Sequence, residues 1–380
     1  MNAIPPVAAG SPEPAETRRV KEQVVLVLQG GGALGAYQAG VYQALMEGGI
    51  EPDWVIGTSI GAINGALIAG NAPERRVERL REFWTGMAIA HPLNELWSAP
   101  LFGNALANLS TLLSGIPGFF TPNPRVVWGP TYPLGIDDAA YYTTQPLRET
   151  LARLVEFERI GRRHVRLSVG AVNVRTGEMR YFDSRDMALA VPHIMASGAL
   201  PPAFPAIAID GEYYWDGGIF SNTPIEVVLD DVPRRNSLIF SVNVWQPHGS
   251  HPTTIQQVMT RHKDIQFASR GKTHVARQAQ LHRLRHVVRE LVTRLPPELQ
   301  ADPVVQDLAE YGCGTQMHLV RFLVPRLDGE DHTKDIDFTR SGIQRRWKAG
   351  FDHASRVLLA KPWEASADPL AGIVIHELAG

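Results

Sequence analysis

Three short stretches of this 380-residue chain set reactive groups among glycines. Gly57-Thr58-Ser59-Ile60-Gly61 places a serine after the apolar run Trp54-Val55-Ile56 and before the small-residue segment Ile60 to Ala69. Glycines on either side of a serine permit a sharp strand-to-helix turn that pushes the hydroxyl outward, because a Cβ at those positions would crowd the turn. That is the setting of an acyl-transfer nucleophile; a serine capping a helix beside packing glycines is the alternative. Tyr214-Trp215-Asp216-Gly217-Gly218 places a carboxylate beside aromatic residues. Desolvation there would raise its proton affinity toward that of a general base, and a plain Asp-Gly-Gly turn is the alternative. In Gly30-Gly31-Gly32-Ala33-Leu34-Gly35, a strand runs out into a helix start. Backbone amides at such a start point outward at the positive end of the helix dipole and suit an anion.

Two anions fit that glycine run. Read as G-x-G-x-x-G it matches a dinucleotide fingerprint, which expects an acid ending the next strand about twenty residues on. The nearest acids, Glu51 and Asp53, come before that strand, which weakens the cofactor reading. The other anion is the oxyanion of a tetrahedral acyl-transfer intermediate, which needs about two preorganised N–H donors and no side chain. Serine also needs a base. Among thirteen histidines, His193 in AVPHIMASGAL sits in an apolar segment and reads as a satisfied core or cap histidine. A glycine-rich turn holds Asp216 and no histidine, and Asn222 and Asn173 are the amides expected to orient the serine or the carboxylate.

Positioning these turns takes alternating strands and helices. Val24 to Leu28 reads as a buried parallel strand, and Tyr37 to Met46 has helical apolar spacing stopped by Gly48-Gly49. Thr144 is placed to cap the helix of PLRETLARL. Val165 to Val174 with Met179 to Phe182, and Ile207 to Ile209 with Tyr213 to Trp215, read as hairpins. A helix is expected from Thr223-Pro224 through Val227, strands at Leu238 to Val244 and His318 to Val324, and a closing helix at Ser341 to Leu359 capped by Ser341. Gly86 to Tyr142 carries prolines, glycines and aromatics (Trp97, Phe102, Phe119 and Phe120 among them) without periodicity, as a lid or binding wall does.

The blocks GGGALGAYQAGVYQAL, GTSIGAING, ASGALPPAFP (Ala196 to Pro205) and WDGG, in this order, resemble the patatin-like phospholipase family of acyl hydrolases over Gln23 to Val244. The resemblance implies an α/β protein with a three-layer α/β/α fold, a mostly parallel central sheet and a mainly helical C-terminal extension. It also implies a Ser-Asp dyad without histidine. Carried onto this chain, Ser59 is the nucleophile and Asp216 the general base. The oxyanion hole is then Gly30, Gly31, Gly32 and Ala33, the elbow glycines are Gly57 and Gly61, and Gly217 and Gly218 form the turn after the base. The region from about Pro252 resembles an extension of some bacterial patatin-like proteins. Many relatives carry Lys or Arg where this chain has Leu34, so the glycine run lacks a charge that would hold an anionic headgroup.

The resulting expectation is a lipid acyl hydrolase working through an acyl-enzyme on a lipid or other acyl ester, with no cofactor and no metal. An esterase, thioesterase or storage-polyester hydrolase with the same dyad is the alternative within enzymes. A dinucleotide-binding oxidoreductase and a non-catalytic lipid-binding regulator are the alternatives outside that chemistry. Thirty-seven basic and thirty-nine acidic residues give a formal charge of -2, which offers nucleic acid no long-range attraction. One cysteine, Cys313, cannot form an internal disulfide. Without a run of about eighteen apolar residues or a signal-peptide pattern in MNAIPPVAAGSPEPAETRRVKEQ, the expected location is cytoplasmic, with peripheral contact to a membrane as an option.

The expected organisation is a flexible tail at 1–22, an acyl-hydrolase domain at 23–250 with its insertion at 86–142, a C-terminal extension at 251–360 packed on the core, and a tail at 361–380. Within the extension, Arg261 to Arg294 holds nine Lys or Arg and four His against two acids, with Leu284, Val288 and Leu291 at helical spacing. This basic amphipathic helix reads as a solvated face over a packed stripe, with anionic lipid or a partner subunit as the other occupants of that face.

Overall fold

The computed structural model describes residues 22–88, 114–327, 330–366, 368 and 370–377, and of residues 269–272 the backbone only. The expected tail at 1–22, apart from Glu22, and Trp97 and Phe102 of the insertion lie outside the described residues.

The first strand, β1 (Gln23–Leu28), is apolar on both faces and has helices on both. Val25 and Val27 pack into one apolar cluster, Leu26 and Leu28 into another on the opposite side. Alternation of this kind, with no polar face, is what a central parallel strand requires. After α1 (Gly35–Glu47), β2 (Trp54–Thr58) pairs parallel with β1, and α2 (Ile60–Ala69) and α3 (Pro73–Gly86) follow. The short strands β3 (Thr121–Pro122) and β4 (Tyr142–Thr143) pair with each other at the end of the insertion. Then come α4 (Gln145–Leu154), α5 (Phe157–Gly161), β5 (Arg166–Asn173), β6 (Met179–Asp183), α6 (Val191–Ser197), β7 (Ile207–Ile209) and β8 (Glu212–Asp216).

A four-residue α7 (Glu226–Leu229) precedes β9 (Ser237–Asn243), which pairs parallel with β1 on its other side. The helix expected from Thr223 is thus shorter and later than its sequence suggests. Next come α8 (Ile255–Thr293), α9 (Pro297–Gln300), α10 (Pro303–Ala309), β10 (Met317–Leu323), α11 (Arg340–Ala360) and β11 (Ile373–Glu377). Among the described residues the main sheet runs β11-β10-β9-β1-β2-β5-β8-β7, with β6 also on β5. Pairing is parallel from β11 to β5 and antiparallel at β6, β8 and β7. This is the mostly parallel, three-layer α/β arrangement expected, with further helices after β9.

Residues after 251 do more than pack on the core, because β10 and β11 extend the sheet itself. Part of the expected 361–380 tail is the strand β11, its run Ile373-Val374-Ile375 having the β-branched composition of a strand. α11 lies against α1 at close range. A Cβ at Gly40 would collide with the Trp347 carbonyl, and one at Gly350 with the Tyr37 carbonyl. The Tyr37 hydroxyl and His353 Nδ1 lie 2.7 Å apart, and Trp347 Nε1 donates to Gln43 Oε1 at 2.7 Å. The cap of α11 is Thr339, whose Oγ1 accepts from the Gly342 amide at 3.1 Å, so Ser341 is already within the first turn. Thr144 stands at the cap position of α4 without a capping side-chain bond. The basic helix is continuous over the 39 residues of α8, and among the described residues no helix is long and apolar enough to cross a membrane.

Candidate active site

β1 and β2 are neighbours and parallel, so the glycine run after Leu28 and the serine after Thr58 emerge side by side at the carboxyl end of the sheet. Ser59 has φ 56° and ψ −126°, a sparsely populated conformation for a residue with a side chain. Two groups of Ser197 hold it there. Its amide donates to the carbonyl and the hydroxyl of Ser197, both at 3.1 Å. The Ser197 hydroxyl is itself anchored on the Gly170 carbonyl at 2.6 Å. The elbow glycines are sites of backbone contact: a Cβ on Gly57 would strike the Gly61 carbonyl, and one on Gly61 the Leu28 carbonyl.

Asp216 ends β8, which runs antiparallel to β5 with Ala171 opposite Asp216, while Gly170 lies opposite Thr58 of β2. The two registers bring the carboxylate level with Ser59. Asp216 is almost completely buried at 1% exposure. Burial pushes its carboxyl up to about 7, against the opposing pull of hydrogen bonds from the Ser59 hydroxyl and the Gly218 amide. The Gly218 amide donates to Asp216 Oδ1 at 2.7 Å, and the Gly217 backbone is pressed onto the Gly170 carbonyl. The structure thus brings Ser59, Asp216 and the glycine run to one pocket.

The four amides proposed to hold an oxyanion divide into two pairs. Gly30 donates to the Asn222 carbonyl at 3.1 Å and Ala33 to the Asp335 carbonyl at 2.8 Å. Among the described residues the amides of Gly31 and Gly32 have no such backbone acceptor, and they open the first turn of a 3-10 helix continuous with α1. Of the four, Gly31 and Gly32 are the residues whose amides are not already held by another part of the backbone.

Asn222 is at the site: its Nδ2 donates to the carbonyls of Gly30 at 3.1 Å and Phe267 at 3.3 Å. Asn173 is not. Its Oδ1 accepts the Arg175 and Thr176 amides in the β5–β6 turn and its Nδ2 donates to Glu212, so it shapes the hairpin. His193 is buried against Phe182, with Nδ1 accepting the Ala190 amide at 2.9 Å, and it does not line the pocket. Burial lowers its proton affinity. Glu51 and Asp53 are engaged elsewhere: Glu51 by Arg76 and the Tyr42 hydroxyl, Asp53 by the Val24 amide at the start of β1. The ribose-binding acid of a dinucleotide site is therefore missing from the end of β2.

Sequence reasoning missed several supporting residues. Gln29, directly after β1, accepts the Val244 and Trp245 amides at 2.6 and 3.1 Å and donates to Thr223 and to the Phe267 carbonyl. Trp245 Nε1 donates to the Gly30 carbonyl at 2.8 Å. A polar side chain between a buried strand and a glycine run was the available signal for Gln29; Trp245 had none. The pocket, about 160 Å³, is walled by Phe119, Phe120, Tyr142, Phe204 and Phe338, whose rings meet one another edge-on or tilted. Leu34 is fully buried in the core and does not line the pocket.

A three-layer α/β protein with a strained serine, a buried carboxylate and free backbone amides in one apolar pocket is the class that this fold and site define. The family model described as patatin-like phospholipase matches residues 26–229, and a second, described as patatin phospholipase, matches residues 265–370. The chain belongs to the patatin-like phospholipase family. Patatin-like phospholipase domain-containing protein 7 of Rattus norvegicus is 34% identical over 95 residues, which is 23% of this chain and 7% of that protein. Lysophospholipase NTE1 of Mycosarcoma maydis is 26% identical over 227 residues, 60% of this chain and 10% of that protein. The matched stretches thus span a tenth or less of these curated relatives. Among solved structures, VipD from Legionella pneumophila is similar at a TM-score of 0.37 and 15% identity, covering 90% of this chain and 67% of that one.

Proposed function

We propose that the protein hydrolyses carboxylic ester bonds of lipids, with Ser59 as nucleophile and Asp216 as general base. The observation that carries this reading is the Ser59 hydroxyl set beside a buried carboxylate that burial raises to about 7, inside an apolar pocket. A carboxylate with ordinary acidity would be too weak a base for a serine hydroxyl; one raised to neutrality is matched to the task. Asp216 takes the Ser59 proton as Oγ attacks the ester carbonyl. The oxyanion settles on the Gly31 and Gly32 amides, and collapse of the tetrahedral intermediate expels the alcohol, which leaves with the proton from Asp216. Water then gives a proton to Asp216 as its oxygen attacks the acyl carbon, and Ser59 departs with that proton as the fatty acid is released.

The aromatic wall supports an acyl chain as the group bound, each buried methylene contributing about 0.8 kcal/mol. A neutral acyl ester in place of a phospholipid is the second reading. It is favoured by the wall itself: the described lining carries no Lys or Arg, and Leu34 points into the core. A fluorophosphonate probe tests the chemistry, since labelling of the wild type and not of Ser59→Ala is expected. Failure of the folded, lipid-hydrolysing protein to label at Ser59 would overturn it. Comparing phosphatidylcholine, triglyceride and simple monoesters as substrates separates the two readings.

A further inference from the structure

The pocket takes two walls from sequence far beyond the four glycine-rich blocks. One is Phe267 of α8, the other the segment of Asp335, Ile336 and Phe338 before α11. The second lies directly on the glycine run. The Asp335 carbonyl accepts the Ala33 amide at 2.8 Å, and a Cβ on Gly32, whose φ is +54°, would collide with that same carbonyl. On the other side of the run, a Cβ on Gly31 would lie 2.6 Å from Val244 Cγ2 and 3.2 Å from Trp245 Nε1. The loop is held between two jaws, one from β9 and its continuation, one from residue 335.

The second jaw is fixed to α8 by two ion pairs between successive residues on each side. Lys263 Nζ lies 2.8 and 3.0 Å from the Asp335 carboxylate oxygens, and Lys334 Nζ lies 2.8 Å from Asp264 Oδ1. The inner pair is deeply buried, at 7% and 9% side-chain exposure; the outer is partly open, at 32% and 21%. Lys334 also stands 5.3 Å from the ring centroid of Trp245, whose indole N–H holds the Gly30 carbonyl. Both jaws and both ends of the glycine run therefore share one network.

We propose that Lys334 and Asp335 form a positioning strap, in which the ion pairs to Lys263 and Asp264 set the Asp335 carbonyl on Ala33 and so hold the Gly31 and Gly32 amides in place beside Ser59. The inference rests on the hydrolase reading of the site. Lys263 and Asp335 are positioning residues: Asp335 holds the loop through its backbone carbonyl, and Lys263 acts through the Asp335 carboxylate. An oxyanion donor must already be in place when charge develops, and loss of one costs about 10² to 10³ in rate. A loosened donor should cost less, about tenfold.

The test is steady-state hydrolysis of a soluble p-nitrophenyl ester by the full chain. Lys263→Met and Asp335→Asn are expected to lower kcat about tenfold with KM changed less than about twofold. The swap Lys263→Asp with Asp335→Lys is expected to recover most of the loss. Phosphonylation of Ser59 by a fluorophosphonate, whose oxygen must occupy the same donors, is expected to slow in parallel. Variants that keep the wild-type kcat and labelling rate overturn the strap while leaving the hydrolase intact. So does a loss of kcat matched by a loss of folded protein in a thermal melt. Should Lys263→Met fail to fold, the isosteric Asp335→Asn decides by the same criteria. A wild type that neither turns over nor labels at Ser59 overturns the hydrolase reading, and this inference with it.

Discussion

The Ser59 hydroxyl lies close enough to the Asp216 carboxylate to lower its proton affinity, although the two residues leave strands with β5 lying between them. At about 4.8 Å per strand, β2 and β8 stand nearly 10 Å apart. Contact is possible because both residues occupy strand ends. The turn at Ser59 tips one side chain inward, and the antiparallel register of β8 delivers the other at the same height.

Replacing either member should nearly abolish turnover, since groups acting as a unit fail together. Ser59→Ala and Asp216→Asn are each expected to lower kcat/KM for a monoester by about 10⁴ or more, assayed on protein with an unchanged circular dichroism spectrum. Residual activity above a tenth in either variant would contradict the dyad.

The same substitution at Asp216 should raise stability at alkaline pH. Burial lifts this carboxyl from 3.8 to about 7, so its protonated form favours folding fully below about pH 4, and that contribution is lost as pH rises through 7. Asp216→Asn carries no charge to bury. Its melting temperature is expected to exceed that of the wild type at pH 8, with the difference closing toward pH 4.

Activity should follow the opposite arm of that titration. With the base active only when ionised, log kcat/KM is expected to rise with unit slope and level off near pH 7, leaving about 1% of the plateau at pH 5. A profile flat between pH 5 and 8 would show that another group takes the serine proton.

Gly32→Ala strikes the loop where the left-handed backbone and the Asp335 carbonyl both exclude a side chain. Turnover should fall by about 10² to 10³, the cost of one lost donor, with Ser59 and Asp216 still in place. Full activity in a folded Gly32→Ala variant would exclude these amides from the reaction.

Phe204 meets Phe119, Phe120 and Tyr142 in the pocket wall. Phe204→Ala is expected to lower kcat/KM for a long-chain ester by about tenfold or more, as loss of about 1.5 to 3 kcal/mol of apolar burial implies. An acetate ester should change by less than about threefold. Equal losses on both would assign Phe204 to the scaffold.

The glycine-rich blocks were legible because their geometry depends on residue type. Ser59, Asp216 and the run at 30–35 announce themselves through glycines that backbone contacts enforce. Asn173 misled for a local reason: it ends the strand that pairs with β8, yet its side chain serves the turn next to it. The C-terminal wall left no mark of this kind. Asp335 contributes a main-chain carbonyl, which any residue carries, and Lys334 meets Asp264 from seventy positions away. The strand β11 hid within a stretch short enough to read as a tail.

β9 pairs with β1 on one side and with β10 on the other, yet it falls in the gap between the two matched regions. A fragment ending at Leu229 would leave β1 with an open row of amide and carbonyl groups, flanked by valines and leucines. A fragment ending after β9 would only move that open row one place along. Either piece is a template for fibril-like association. Expression of the N-terminal region without β9 and β10 is therefore expected to lower the yield of soluble protein.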